Sequence, residues 1–345
     1  MKLKDRFFVF LVLLFLASLY LFFSKTTYNQ VDISDALNKA KANLKVNQEI
    51  IVFESKNPFN FYDIFNNLEI ITNQHVYGVL TYPDSLQEKY PVIIGVAGSK
   101  GWGEHHYGYM DRYQDAGFAT LNLHSFKSRG VESTVGEQIS ATIPMIVHDA
   151  YMALAALSEK KEIDINKVAI TGWSLGGGVA LLSAWKPIQK HISPEFTFAA
   201  HLPIYPPCMS SVEDLEFTSS PIYILIGEID NWVPAEPCID LVKSMQIKGY
   251  DIGITVYPDA HHSFDSNMEL KSVDQAYSLT DCRLSLSKTG IVKTLDYNIP
   301  FNNSTLQKIG LYLCADRGTI FGGHEIAREK SKEFALKFMT SHLLK

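Results

Sequence analysis

Lys167-Val168-Ala169-Ile170-Thr171-Gly172-Trp173-Ser174-Leu175-Gly176-Gly177-Gly178 is the stretch on which the fold of this chain turns. Val168 to Thr171 is a short unbroken apolar run, the mark of a strand covered on both faces, and from Leu175 onward small and aliphatic residues suit a buried helix. Between them, Gly172-Trp173-Ser174-Leu175-Gly176 is a Gly-x-Ser-x-Gly turn in the strand-to-helix context that a nucleophile elbow requires. Such a turn is tight, and side chains larger than glycine on either flank would collide with the chain. It lifts the serine hydroxyl out of the sheet and sets it at a helix N-terminus, where unpaired amides stabilise developing negative charge.

Outward from the elbow the pattern repeats. Pro91 to Ala97, Phe118 to Leu123, Phe196 to Leu202, Ile222 to Ile226 and Gly253 to Tyr257 are further short apolar runs, while Glu49 to Phe53 and Leu68 to Thr81 read as an antiparallel opening. Helices are expected at Tyr107 to Ala116, Glu137 to Glu159, Leu175 to Trp185, Cys238 to Lys248 and His324 to Leu344. Strands alternating with helices predict a mostly parallel, doubly wound α/β sheet. Residues 26–48 read as a linker or short helix and 49–345 as the domain, with a polar, irregular insertion at 266–313 before the last helix.

A serine hydroxyl needs a histidine to take its proton and a carboxylate to orient that histidine. In the elbow fold both follow the serine along the chain, at the C-terminal ends of later strands. Asp230 follows the run IYILI in Gly227-Glu228-Ile229-Asp230, and the pair His261-His262 follows the run GITVY. Asp230 is preferred to Glu228, which lies nearer the strand end and suits structural bonds; the residues alone leave both histidines open. The oxyanion hole is expected from the backbone N–H of Leu175 and that of Ser99, with Gly98 as the alternative, in the glycine-rich loop after Val96. Trp173 and His105 are candidate substrate-binding residues. The paired histidines do not make a zinc site, because adjacent side chains diverge and no third ligand has metal-site spacing. The loop also lacks the Gly-x-x-x-x-Gly-Lys-Ser/Thr pattern of a P-loop. No cofactor or metal is expected.

Composition bounds the partners. Of 345 residues 46% are apolar and 20% charged, which is ordinary globular composition, and a net charge of -6 lacks the attraction to phosphate backbones on which nucleic-acid binders rely. Phe7 to Phe23 form an apolar run of 17, preceded by Lys2, Lys4 and Arg6. We read residues 1–25 as an uncleaved membrane anchor in preference to a cleaved signal peptide, since the run is long for a signal and only Ser24-Lys25-Thr26 resembles a cleavage site. Either way the basic end stays in the cytoplasm and the remainder is exported, anchored at the membrane or secreted. Cys208, Cys238, Cys282 and Cys314 all lie in the exported part, where an even number favours disulfides, with three pairings open.

Several stretches together give the chain a resemblance to the dienelactone hydrolase family of α/β-hydrolases over about residues 75–265. They are PVIIGVAGSKGWG, LNLHSFKSRGV, the elbow KVAITGWSLGGG, YPPC, IGEIDNWVPAEPC and AHHSFD. The resemblance implies Ser174, Asp230 and His262 as a catalytic triad, His262 because the family's histidine stands two residues before the phenylalanine. It also implies pairing Cys208 with Cys238, which leaves Cys282 for Cys314. Three departures accompany it. Ser174 stands where the name-giving enzymes carry cysteine, which points to serine ester hydrolysis; His124 stands where relatives usually carry aspartate; and Ala97 stands where many have histidine. Arg129 matches a recurring family arginine, open to a substrate-carboxylate clamp or a structural ion pair.

The resulting expectation is a serine hydrolase of a small or soluble carboxylic ester or lactone, working through an acyl-enzyme. Because only about twenty residues, Leu202 to Pro221, separate the strands between which many relatives insert a lid, an open pocket is expected. A serine peptidase of the same fold and a catalytically silent binding module at the membrane surface are the alternatives.

Overall fold

Every residue of Tyr90–Val96 is buried, as a central parallel strand must be when helices cover both faces of its sheet. The structure is a computed structural model that describes residues 24–344. The apolar run 7–23 lies outside the described residues, among which no helix is long and apolar enough to cross a membrane.

The first elements are α1 (Ser34–Ala42), β1 (Gln48–Lys56), α2 (Phe61–Asn66), β2 (Asn73–Thr81), β3 (Tyr90–Val96), α3 (Glu104–Asp115) and β4 (Ala119–Leu123). Then follow α4 (Ile143–Ser158), β5 (Ile163–Trp173), α5 (Leu175–Leu182), α6 (Lys186–Ile192), β6 (His201–Ile204), β7 (Ser210–Val212), β8 (Ile222–Gly227), α7 (Ala235–Ile247) and β9 (Ile252–Tyr257). The last are β10 (Lys271–Ser278), β11 (Leu284–Leu286), β12 (Val292–Thr294), α8 (Ser304–Cys314), β13 (Asp316–Phe321) and α9 (Glu325–Leu343).

The main sheet runs β1-β2-β4-β3-β5-β6-β8-β9, antiparallel across β1, β2 and β4 and parallel from β4 to β9. The crossover from β3 to β4 moves one way along the sheet and that from β4 to β5 moves the other. Right-handed connections therefore place α3 and α4 on opposite faces. The order reverses at β3 and β5, so the loops after these two strands open a crevice above the sheet, with the elbow at its floor.

Element boundaries moved where local chemistry overrode the apolar pattern. Leu68–Ile70 is a turn of 3₁₀ helix, and β2 begins only at Asn73. Residues 196–200 are irregular, although Phe198 and Ala200 are fully buried, because an apolar run reports burial rather than extension. The helix expected from Glu137 starts at Ile143: Pro144 occupies its first turn, where a missing N–H costs nothing, and the Glu137 carboxylate instead accepts from the amides of Ile139 and Ser140. Within 26–48, α1 forms the helix, and the chain before it lies against the domain through paired hydrogen bonds of Val31 with the Gln74 side chain (2.8 and 2.9 Å).

The stretch 266–313 is more ordered than its composition implied. β10 pairs with β13, and β11 joins β12 and β7 in a small sheet. Disulfides join Cys208 to Cys238 and Cys282 to Cys314, the pairing that the resemblance implied.

Two core histidines, together with His124 directly after β4, make stability sensitive to acid. His148 and His201 are almost fully buried, and burial pushes these two and His124 down to about 4. A histidine depressed in the folded state is protonated first in the unfolded chain, so its contribution is complete above about pH 6.5 and is lost as pH falls towards 4. Each can cost up to roughly 3 kcal/mol in that window. Urea midpoints measured from pH 7.5 to 4.5 should fall steadily below pH 6.5; a flat profile would contradict the burial of these imidazoles as neutral rings.

Candidate active site

The elbow between β5 and α5 holds Ser174 at φ 55° and ψ −115°, a backbone conformation of order 1–3 kcal/mol above the relaxed regions. Two contacts make glycine obligatory on its flanks: a Cβ on Gly172 would stand 2.1 Å from the Gly176 carbonyl oxygen, and one on Gly176 would stand 2.1 Å from that of Val96. The Ser174 amide donates to the Ile204 carbonyl at the end of β6 (2.9 Å), which fixes the turn against the neighbouring strand.

Side chains from three strand ends meet above this turn. His262 Nε2 lies 2.9 Å from Ser174 Oγ, and His262 Nδ1 lies 2.7 Å from Asp230 Oδ2. The other Asp230 oxygen, Oδ1, accepts from the amides of Trp232 (2.9 Å) and Val233 (3.0 Å), so the carboxylate is anchored independently of the histidine. Glu228 points elsewhere and accepts from the Asp259 amide (3.2 Å). Between the adjacent histidines, it is His262 whose ring stands on the serine.

Aromatic rings hold the imidazole in place. Tyr205 and Trp232 pack on His262 with centroids 4.7 and 5.0 Å away. The Tyr205 hydroxyl donates to Asp265 (2.9 Å); burial, and then the Asp265 carboxylate, push its ionisation well above the usual tyrosine range, so it remains a donor. Sequence reasoning gave no role to Tyr205, Trp232 or Asp265. They stand inside YPPC, IGEIDNWVPAEPC and AHHSFD, but a packing role across three loops leaves no local pattern.

The Gly98-Ser99 turn closes over the elbow: a Cβ on Gly98 would meet the Trp173 carbonyl at 3.0 Å and Ser174 Cβ at 3.3 Å. Among the described residues, the amides of Ser99 and Leu175 make no hydrogen bond to a backbone carbonyl, which leaves both able to donate to a ligand oxygen. Trp173 is fully buried and packs edge-on against Tyr109, while the His105 ring lies tilted against that of His106, with centroids 3.9 Å apart. Both Trp173 and His105 line a cavity of about 370 Å³ that also touches Ser174 and His262. A second cavity, of about 180 Å³, also borders Ser174 and shares Ser99 and Trp232 with the first. Among the described residues, no group of three or more His, Cys, Asp or Glu is arranged to hold a metal ion.

Arg129 is not brought to this site. Its guanidinium is buried on Asp149 (2.7 and 2.9 Å) and also donates to Asn57 and to the carbonyls of Lys56 and Ser125, so no donor remains for a substrate carboxylate. Removing one partner of a buried pair leaves an uncompensated charge. Arg129→Ala should therefore lower the unfolding free energy by about 3–5 kcal/mol in urea titration, and a loss below about 1 kcal/mol would show that the pair does not hold the fold.

The dienelactone hydrolase family model matches residues 76–281. Among solved structures, the chain is similar to the dienelactone hydrolase-like promiscuous phosphotriesterase P91 from metagenomic libraries. The two share 14% identity, with a TM-score of 0.53 over 86% of this chain and 98% of that one. Esterase 2 of Thermogutta terrifontis, in its form phosphorylated by paraoxon, is similar at 15% identity and a TM-score of 0.51, over 86% of this chain and 94% of the esterase. At these identities the likeness concerns the fold. No curated protein matches the chain. The family match spans more than half of the sequence, and the chain belongs to the dienelactone hydrolase family, as an ester hydrolase of the α/β-hydrolase fold.

Proposed function

We propose that Ser174 is the nucleophile, His262 the general base and acid, and Asp230 the group that orients His262, in hydrolysis of a carboxylic ester through an acyl-enzyme. The observation that carries this reading is the continuous chain from Ser174 Oγ through the imidazole to Asp230, at 2.9 and 2.7 Å, on a strained elbow. As Oγ bonds to the carbonyl carbon its proton passes to Nε2, and the carbonyl π pair moves to oxygen, facing the amides of Leu175 and Ser99. Collapse breaks the bond to the alkoxy oxygen, which leaves with the proton from Nε2. Water then repeats the sequence on the acyl-enzyme and releases the acid.

Two disulfides suggest an oxidising, exported environment. Residues 49–345 act in this reading as the catalytic domain, with the run 7–23 as its anchor or leader. Pre-steady-state hydrolysis of a chromogenic ester by the purified protein should release about one equivalent of alcohol per protein before the slower steady phase. A linear course, or faster turnover of the matched amide, would count against an esterase acyl-enzyme.

A further inference from the structure

We propose that the two cavities meeting at Ser174 divide the ester between them, with the acyl group in the smaller, uncharged one and the alcohol in the larger, polar one. The substrate class is then an ester of an uncharged, apolar acid no bulkier than a small ring. This inference rests on the proposed triad and extends it to the substrate.

The division follows from the four bonds of the tetrahedral carbon. One goes to Ser174 Oγ and one to the oxyanion, which faces the amides of Leu175 and Ser99. The third goes to the leaving oxygen, which must face His262 Nε2 because that nitrogen supplies its proton. Of the two cavities, His262 borders the one of about 370 Å³, with Lys100, Glu104, His105 and Asn267 around it. The fourth bond, to the acyl carbon, is left for the cavity of about 180 Å³, which Leu175 borders and His262 does not. The bonds balance without any further reactant besides water.

The acyl cavity is walled by Leu175, Met209, Val233, Leu279, Leu284 and Leu311, among others, and no Asp, Glu, Lys, Arg or His occurs among the described residues that line it. An ionised carboxylate there would lose its hydration with no cation to replace it, and the side-chain amides of Asn60, Gln138 and Gln307 on the wall already donate to Phe301, Ser99 and Gln138. With Arg129 engaged by Asp149 and Lys100 on the other cavity, the described residues lining the acyl cavity offer no compensating cation. A volume of about 180 Å³ is slightly above that of an apolar cavity that accepts benzene, roughly 150 Å³.

Much of this wall comes from 277–311, not from 202–221, the stretch in which many relatives insert a lid. From the latter come Pro207, Met209 and Ser210, which adjoin or begin β7 in the small sheet with β11 and β12. The Cys282–Cys314 bond ties the segment bearing Leu284 to the end of α8 bearing Leu311.

The test compares kcat/KM on methyl acetate, butanoate, benzoate and monosuccinate, and on acetates of small and bulky alcohols, for the wild-type chain, Leu279→Trp, Leu279→Ala and Asn267→Trp. Butanoate should exceed monosuccinate by at least about 100-fold in the wild type. Leu279→Trp should lower the benzoate-to-acetate ratio by at least about 10-fold and leave the ratio between bulky and small alcohols unchanged. Leu279→Ala should shift acyl preference towards longer acids, an outcome that does not depend on the tryptophan variant folding. Asn267→Trp should alter the alcohol ratio alone. If Leu279 variants change alcohol preference instead, or acyl ratios do not respond while acetate is turned over with an initial burst, the division is wrong and the triad stands. If acetate is hydrolysed by neither burst nor steady turnover, both readings fall.

Discussion

Ser174→Ala should lower kcat on an ester by about 10⁵ to 10⁶, the loss expected when the nucleophile of a Ser-His-Asp unit is removed. The residual rate belongs to the oxyanion donors and to substrate binding, which the substitution leaves in place. Stability should change little in either direction, because alanine removes one hydrogen bond with His262 and keeps the strained backbone that Gly172 and Gly176 permit. kcat on the best ester found, with the urea midpoint of the same preparation, checks this. A loss below about 100-fold would move the chemistry to another group.

Asp230→Asn separates orientation from mere presence. The substituted amide would keep an acceptor oxygen for the Trp232 and Val233 amides, so the loop should remain in place. Towards His262 Nδ1, however, an amide nitrogen is a donor. The imidazole then loses the tautomer that leaves Nε2 free to accept the serine proton, and kcat should fall by about 10⁴. The effect should differ in kind from that of Ser174→Ala, because hydroxide can take the proton of a serine deprived of its base and so restore acyl-enzyme formation at high pH, whereas without the serine it can only attack the ester directly. A decrease of less than about tenfold would mean that Asp230 only braces its loop.

The parts of the fold and site that were legible from sequence are those with local causes. The elbow is one, since its glycines, serine and flanking strand lie within twelve residues and answer to a single steric requirement. The strand ends bearing Asp230 and His262 are another, because an open parallel sheet gathers its site at that edge. The choice of His262 over His261 needed family resemblance; geometry supplies the physical reason, since its ring alone bridges Ser174 and Asp230. Contacts distant in sequence were not legible. The sequence leaves the role of Arg129 open, whereas in the fold its guanidinium is filled by Asp149, Asn57 and two carbonyls. The wall from 277–311 is unreadable for a related reason: in a polar, turn-rich stretch the apolar residues that line the cavity are mixed with exposed ones such as Leu295 and Ile309, and no periodicity separates them. Its order comes from strand pairing and a disulfide made at long range.

An activated nucleophile at Ser174 would be marked by its reaction with an organophosphorus fluoride. Reaction of the folded protein with a fluorophosphonate, followed by peptide mass spectrometry, reads this out. One adduct per chain is expected, on Ser174, absent after Ser174→Ala and strongly slowed by Asp230→Asn. A folded protein that takes up no reagent, or an adduct on another residue that persists in Ser174→Ala, would contradict it.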